Sequence, residues 1–117
     1  MSEVSRYNIN IHQGETWSMT LSILDNNDNP KNLTNYTGKM QIRSKPGGTL
    51  LKELSTDVGG GMTINGAYGE IVLEMTDTET AALQFKNAQY DLFLYSDSNT
   101  STPLLKGEVK LTQRVTQ

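Results

Sequence analysis

The sequence contains no cysteine, so disulfide bonds, thiolate metal ligands and cysteine nucleophiles are excluded. It has a single histidine, His12, and no dense group of acidic residues with metal-ligand spacing. Apolar residues make up 35% of the chain, below the roughly 45 to 50% of typical globular domains. We therefore predict a protein that has no catalytic residues, no metal site and no cofactor, and that is stabilised by packing alone.

Positive charge and long apolar runs are also scarce. Ten basic residues against thirteen acidic ones give a formal net charge of −3, with no run of Lys or Arg, so nucleic acid is not an expected partner. No stretch approaches the eighteen consecutive apolar residues of a membrane span, so no membrane association is expected. The start, MSEVSRYNIN, lacks the apolar run of a signal peptide, which predicts a soluble protein made in a cytosol.

The residues that are abundant, Thr, Asn, Ser and Gly, fill the polar positions of alternating patterns. Apolar and polar residues alternate from Tyr7 to Ile11 and again, after Gly14, from Trp17 to Ile23. A period of two residues is typical of strands with one buried face. Further strands are predicted at 39–43, 50–54, 62–64, 71–75, 90–95 and 105–115.

Turn-forming residues separate these runs at short intervals. The KPGG stretch at 45–48 and the VGGGM stretch at 58–62 predict loops, and Asn65-Gly66 predicts a hairpin. The spacing of Thr76 and Glu79 is that of a capping box, which predicts one short helical turn. The pattern predicts an all-β, antiparallel β-sandwich of seven or eight strands with one short helical turn, in a single domain over 1–117.

The alternation also predicts which side chains form the core. We expect Leu21→Ala to lower the free energy of unfolding by about 2 to 5 kcal/mol through cavity formation. The predicted core consists of Tyr7, Ile9, Ile11, Trp17, Met19, Leu21, Ile23, Met40, Ile42, Leu73, Leu92, Leu94 and Val109.

The stretch DNNDNP at 25–30 places acidic and amide side chains at alternate positions, which suits either a calcium loop or a turn. Asp25, Asn27 and Asn29 fit the first three ligand positions of an EF-hand loop. Pro30 stands where that loop needs glycine, and Tyr36 stands where it needs a bidentate glutamate. The stretch is therefore interpreted as a turn.

Four other features invite a functional interpretation, and each is better explained structurally. His12 lies on the polar face of a strand without a nucleophile elbow elsewhere. Glu70 and Glu74 share a strand face, where two solvated acids are commoner than a glycosidase pair. Trp17 could stack on a sugar, but it shares the apolar face of its strand. Gly59-Gly60-Gly61 lacks the strand and helix that flank a phosphate loop, so it is interpreted as a flexible connection.

The order of the strand and turn sequences resembles the small immunoglobulin-like domains of tailed-phage virion proteins, including the amino-terminal domain of baseplate upper proteins. The likeness rests on Gln13-Gly14-Glu15-Thr16 before the long strand, on Pro30 and Asn32-Leu33-Thr34-Asn35 in the turn, and on Met40-Gln41-Ile42-Arg43. It covers nearly the whole chain. Asn32 and Asn35 stand where the family usually has Asp and Gly.

The resemblance implies an immunoglobulin-like fold and a non-enzymatic structural role in the virion, assembled in the host cytoplasm. The protein would dock onto other virion proteins in the tail or baseplate, as a homo-oligomer or symmetric array. A capsid decoration protein and a carbohydrate-binding adhesin module are the alternatives. The expected contact surfaces are residues Met1 to Arg6 and Thr112 to Gln117 and the loops Asp25–Pro30, Val58–Gly61 and Ser96–Thr102.

Overall fold

The computed structural model describes residues 5–45, 47–96 and 100–113, which form two β-sheets packed face to face. All eight predicted strand runs are present, with bounds that differ by four residues at most, as expected for patterns of this kind. The strands are β1 (Ser5–Arg6), β2 (Ile9–His12), β3 (Trp17–Ser22), β4 (Thr37–Arg43), β5 (Leu50–Ser55), β6 (Met62–Asn65), β7 (Glu70–Met75), β8 (Asn87–Tyr95) and β9 (Ser101–Thr112), with helix α1 (Asp77–Ala81) between β7 and β8.

The larger sheet has the order β9-β8-β4-β5, with β1 and β2 alongside β9, and the smaller sheet has the order β3-β7-β6. This is an immunoglobulin-like arrangement in which β5 and the amino-terminal stretch extend the larger sheet at its two edges, and the smaller sheet keeps three strands. The predicted all-β fold is confirmed. Since β1 and β2 are two parts of one amino-terminal stretch along β9, the described strands number eight in effect.

The amino-terminal stretch pairs with β9 in parallel, whereas the other pairings between the described strands are antiparallel. Between β1 and β2 the backbone carbonyl of Tyr7 accepts a hydrogen bond of 2.5 Å from the phenol of Tyr90, and Asn8 Oδ1 accepts the backbone N–H of Glu108. Gly107 lies against the backbone between β1 and β2, where a Cβ would lie 2.2 Å from the Tyr7 carbonyl oxygen. The alternation of apolar and polar residues within a segment does not determine that the amino-terminal stretch pairs in parallel with a strand near the other end of the chain.

Tyr7 was predicted to be in the core, and that prediction is wrong. Its side chain is 54% exposed, because the chain is irregular at this residue and the side chain turns outward between β1 and β2. Tyr90 takes the buried aromatic position instead. Burial raises the pKa of the Tyr90 phenol well above its ordinary range, with smaller contributions from Tyr7 and Asp91.

The core lies between the two sheets and agrees with most of the alternation. Trp17, Met19, Leu21 and Ile23 were also predicted to be buried, but they are only partly buried and pack at the margin of the core. Leu33, from a loop, is fully buried and was not predicted. The predicted core residues that are buried are Ile9, Ile11, Met40, Ile42, Leu73, Leu92, Leu94 and Val109.

The predicted hairpin between β6 and β7 is confirmed, but its connection is longer than a two-residue turn. A 3₁₀ turn at Gly66–Tyr68 follows Asn65. Gly69 closes it with a left-handed φ of 63°. A Cβ on Gly69 would lie 2.6 Å from the carbonyl oxygen of Lys31, so glycine is required both by the backbone angle and by the close approach.

Helix α1 begins at the predicted capping box. Thr76 Oγ1 accepts the backbone N–H of Glu79 at 3.1 Å, and Glu79 Oε1 accepts the backbone N–H of Thr76 at 2.8 Å. Thr80, within the helix, is fully buried: its hydroxyl accepts from Gly14 N–H at 3.0 Å and donates to the Glu15 carbonyl at 2.8 Å. The helix is thereby fixed to the turn between β2 and β3.

The last strand begins four residues earlier than predicted, at Ser101, and its described part ends at Thr112 rather than Val115. Pro103 lies inside it, next to a register shift opposite Leu92 and Phe93. Proline is compatible with this position because, among the described residues, the pairing of β1 with β9 begins at Leu105, so no described neighbour needs the missing N–H. The prediction placed the strand start after Pro103 because proline is usually excluded from strands.

Candidate functional site

Within residues 5–45, 47–96 and 100–113, strand β3 forms an uncovered edge of the smaller sheet. Its only pairing partner in the described part of the chain is β7. The Ile23 N–H that follows β3 donates to Gly69 on the β7 side at 2.8 Å. Since backbone groups alternate in direction along a strand, the N–H and C=O groups of Ser18, Thr20 and Ser22 point to the open side. These groups can hydrogen bond to an additional strand.

The sequence of this edge lacks the features that discourage strand addition. All six residues of β3, WSMTLS, are uncharged, and none is proline. Natural proteins protect sheet edges with charged residues, proline or very short strands. The edge strand β5 carries Lys52 and Glu53, while β2 and β6 have four residues each. Of the described edges, β3 is therefore the one best suited to pair with another chain.

The apolar side chains of β3 are incompletely covered. Trp17, Met19 and Leu21 face the core, yet each keeps part of its surface exposed, whereas Ile71 and Leu73 on the adjacent β7 are fully buried. The difference arises because β7 has a neighbouring strand on both sides, whereas β3 has one neighbouring strand among the described residues. A strand added outside β3 would bury this remaining apolar surface.

The two ends of β3 are held in place by polar contacts. At the start, Thr80 fixes the preceding turn as described above. At the end, the DNNDNP turn is closed by Asp25, whose Oδ1 accepts the backbone N–H groups of Asn27 at 2.8 Å and Asn29 at 3.0 Å. Asp28 has a left-handed φ of 63°, which Asp tolerates. The stretch forms the predicted turn, and the edge strand is fixed at both ends.

A surface depression lies beside this turn, at the end of β3. It has a volume of about 440 Å³, and its lining includes Leu24, Asp25, Lys31, Tyr36 and Leu104. Leu24 is 53% exposed, which is unusual for a leucine next to a sheet. The predicted contact loop Asp25–Pro30 thus adjoins the open edge, and the two could contact one neighbour together.

The remaining predicted residues do not assemble into a catalytic site. His12 is exposed on β2 opposite Thr112. Glu70 and Glu74 lie on the outer face of β7, opposite Ser22 and Ser18. Four residues along a strand span about 13 Å, more than the roughly 5 to 9.5 Å between glycosidase carboxylates.

The glycine stretch 59–61 is hydrogen bonded on both sides and is not a free connection. Gly60 accepts the N–H of Ser55 at 2.9 Å, and Gly61 accepts the N–H of Glu74 at 2.8 Å. This segment therefore joins the edge of the larger sheet to the smaller one, and the expectation of a flexible loop is wrong. Of the other predicted contact surfaces, residues 1–4, 97–99 and 114–117 lie outside the described residues, while Ser101 and Thr102 belong to β9.

Metal-binding clusters and membrane-spanning helices are both absent from the described residues. No group of three or more His, Asp or Glu side chains in residues 5–45, 47–96 and 100–113 is placed to hold a metal ion. Over the same residues, no helix is long and apolar enough to cross a membrane.

Comparison with solved structures supports the fold. Over 98% of both chains, the protein is similar to the extracellular domain of the voltage-gated sodium channel beta4 subunit, with a TM-score of 0.52 and 14% identity. That domain forms parallel homodimers with a role in cell–cell adhesion. At this identity the similarity concerns the immunoglobulin-like fold alone.

Two further similarities are too distant to support an argument. A second structure of sodium channel beta subunits gives a TM-score of 0.43 at 15% identity over 99% of this chain and all of the other. Extracellular domains 3–5 of Drosophila OTK give 0.35 at 15% identity, over 95% of this chain and 33% of the other. No protein-family model matches the sequence, and no curated protein matches it.

The open edge was not identified from the sequence, although the strand was. The alternation of Trp17 to Ile23 correctly gives the inward and outward faces. It cannot show whether one or two strands flank β3, since that depends on where the amino-terminal stretch pairs. The absence of charged residues from β3 was the one available signal. It did not identify the edge, because central strands and unprotected edge strands both lack charged residues.

Proposed function

We propose that this protein is a non-enzymatic docking module that binds a neighbouring protein subunit by adding a strand of that neighbour to β3. The observation that carries the proposal is the open, uncharged β3 edge with its incompletely covered apolar side chains. Strand addition supplies affinity through backbone hydrogen bonds and specificity through alternate side chains. A neighbour bound here would satisfy the outward backbone groups of Ser18, Thr20 and Ser22.

The biological setting that we propose is the virion of a tailed phage, in the tail or baseplate region, with several copies arranged as a homo-oligomer or symmetric array. This setting is supported by the sequence resemblance alone. The partners are then other virion proteins, assembled in the host cytoplasm. An edge that is exposed in the single chain suits a subunit that is completed by its neighbours.

The immunoglobulin-like fold also occurs in domains that adhere to one another, as the sodium channel beta4 structure shows for that protein. For this chain the likeness favours protein binding over catalysis without naming a partner. Capsid decoration would use the same edge on a different part of the particle. The carbohydrate-binding alternative requires an accessible aromatic platform, and Trp17, its main candidate, packs against the core.

The virion role can be tested by purifying particles from the producing host and measuring the copy number of the chain by quantitative mass spectrometry. We expect the chain in stoichiometric amounts relative to a tail or baseplate protein. Absence of the chain from purified, infectious particles would contradict the virion role. A copy number that matches the capsid lattice would instead assign capsid decoration.

The β3 edge can be tested separately with Thr20→Lys, since lysine on an edge opposes strand addition. We expect the variant protein to fold, because Thr20 is exposed, and to be incorporated at much lower occupancy than the unmodified chain. Thr63→Lys is the matched control: it places the same charge on the same sheet face, but on β6 at the opposite edge. Full occupancy of Thr20→Lys, or equal loss with Thr63→Lys, would contradict docking at β3.

A further inference from the structure

The outer face of the larger sheet contains a hollow with an unusual concentration of positive charge. It has a volume of about 180 Å³ and is lined by Arg6, Arg43, Lys45 and Lys106, together with Gln89 and the single acid Asp91. We propose that this hollow is an oxyanion-binding site that holds one carboxylate or phosphate group against Arg43. The hollow lies on the larger sheet, whereas β3 belongs to the smaller sheet, so anion binding in the hollow is independent of the docking proposed above.

Arg43 is held in position by the protein. Its Nη1 donates to the backbone carbonyl of Gly48 at 2.9 Å, and its Nη2 donates to Gln41 Oε1 at 3.0 Å. Gln41 is oriented in turn, because its Nε2 donates to Glu53 Oε2 at 2.7 Å. A guanidinium has five N–H donors, so three remain for a ligand. A partly buried, fixed guanidinium loses little conformational entropy on binding an anion.

The cationic groups of the hollow have no carboxylate partner in the described structure. Within residues 5–45, 47–96 and 100–113, the one ion pair joins Lys52 and Glu79, on another part of the surface. Asp91 lies opposite Lys106 in the strand register but forms no ion pair with it. Positive charge therefore exceeds negative charge in the hollow, which favours an anionic ligand.

This concentration is not a local run of basic residues. The four cations come from the amino-terminal strand, from β4, from the turn after β4 and from β9, and the fold brings them together. They are four of only ten basic residues in a chain with a net charge of −3. A solvated strand face would normally alternate both signs, so the clustering supports a site.

The chemistry of the donors defines the ligand class. Guanidinium and side-chain amide N–H groups suit the oxygens of a carboxylate or a phosphate, which Arg can contact with two parallel hydrogen bonds. The hollow is a single small depression and not a track of cations along the surface, so it fits one anionic group and not a nucleic acid backbone. The group would come from an acidic side chain of a neighbouring protein or from a phosphorylated small molecule.

The proposal can be tested by NMR titration of the isotope-labelled protein with sodium acetate, with inorganic phosphate and with sodium chloride at matched ionic strength. We expect saturable shifts of backbone amides around Arg43, Gln89 and Lys106 with acetate, phosphate or both, and no saturable response to chloride. Preference for acetate assigns a carboxylate ligand, and preference for phosphate assigns a phosphorylated one. Arg43→Gln should weaken the binding about tenfold or more, since it removes a charged hydrogen-bond donor.

Lys110→Gln is the matched control, because it removes the same charge from the same sheet but lies outside the hollow. It should weaken binding by less than about twofold, as expected for a distant, screened charge. Unchanged melting temperature and amide spectra outside the hollow would show that the Arg43→Gln variant is folded. Absence of saturable binding, or equal losses with Arg43→Gln and Lys110→Gln, would overturn the proposal in favour of a diffuse surface potential.

Discussion

Leu73 and Leu21 face the same core from adjacent strands, but they differ in burial. Leu73 is fully buried on β7, while Leu21 is partly exposed on the β3 edge. We expect Leu73→Ala to lower the free energy of unfolding by about 2 to 5 kcal/mol, through lost burial and a cavity. Leu21→Ala should cost about 1 to 2 kcal/mol, less than alternation alone predicts, because less apolar area is lost. If urea denaturation showed equal losses of unfolding free energy for Leu73→Ala and Leu21→Ala, the β3 edge would be covered in solution.

Glu79 couples the capping box to the larger sheet and is sensitive to pH. The backbone N–H of Thr76 lowers the pKa of its carboxyl most, and the hydrogen bond and charge of Lys52 lower it further. A carboxyl whose pKa is depressed in the folded state stabilises the protein above its unfolded pKa, about 4.3, and this stabilisation is lost as pH falls through the folded pKa.

The Glu79→Gln variant tests this contribution. We expect it to be less stable than the unmodified protein by about 0.5 to 1 kcal/mol at pH 7, because both contacts are partly exposed, and to approach it in stability as pH falls through the lowered pKa of Glu79 in the folded state. The measurement is urea denaturation as a function of pH. Glu74→Gln, at an exposed position of β7, is the control for the removal of one carboxylate outside the capping box. If the difference in stability between Glu79→Gln and the unmodified protein stayed constant with pH, the contribution assigned to the Glu79 carboxylate would be contradicted.

The attachment of the amino-terminal strand depends on Gly107. A Cβ there would lie 2.2 Å from the carbonyl oxygen of Tyr7, so the backbone must move apart to admit it. We expect Gly107→Ala to destabilise the protein by about 1 to 3 kcal/mol and to release β2 from β9. Hydrogen exchange should then accelerate at Ile9 and Ile11. Lys110→Ala, at an exposed position of the same strand, should leave that exchange unchanged.

The DNNDNP turn provides a prediction about ions. Asp25 Oδ1 already accepts two backbone N–H groups, which leaves a weak basis for calcium coordination. A ligand that binds only the folded state raises its melting temperature by mass action. We expect millimolar calcium to leave the melting temperature unchanged. A rise of several degrees that disappears in Asp25→Ala would contradict the turn interpretation.

The two sheets should unfold together as one domain. They share one core, and the segment around Gly60 and Gly61 hydrogen bonds to Ser55 of the larger sheet and to Glu74 of the smaller one. We expect a single calorimetric transition with an unfolding enthalpy of about 80 kcal/mol near 60 °C, and agreement between calorimetric and van't Hoff values. Two resolved transitions would contradict the assignment of a single domain to 1–117.

The local features of this protein could be read from its sequence. Strand faces follow from alternation, as in β4, and the capping box of Thr76 and Glu79 follows from a spacing of three residues. The turn at Asp25 follows from side chains that bond to nearby backbone. Each of these depends on residues close together in the chain, where geometry is fixed by the backbone itself.

The candidate surfaces were decided by tertiary structure. The amino-terminal stretch pairs with β9, about a hundred residues away, and this choice leaves β3 uncovered and Tyr7 exposed. The hollow at Arg43 likewise gathers cations from distant segments, none of which is distinctive alone. Alternation specifies the face that each residue occupies, but the neighbours of a strand depend on long-range pairing, which balances the burial and backbone hydrogen bonding of the whole chain.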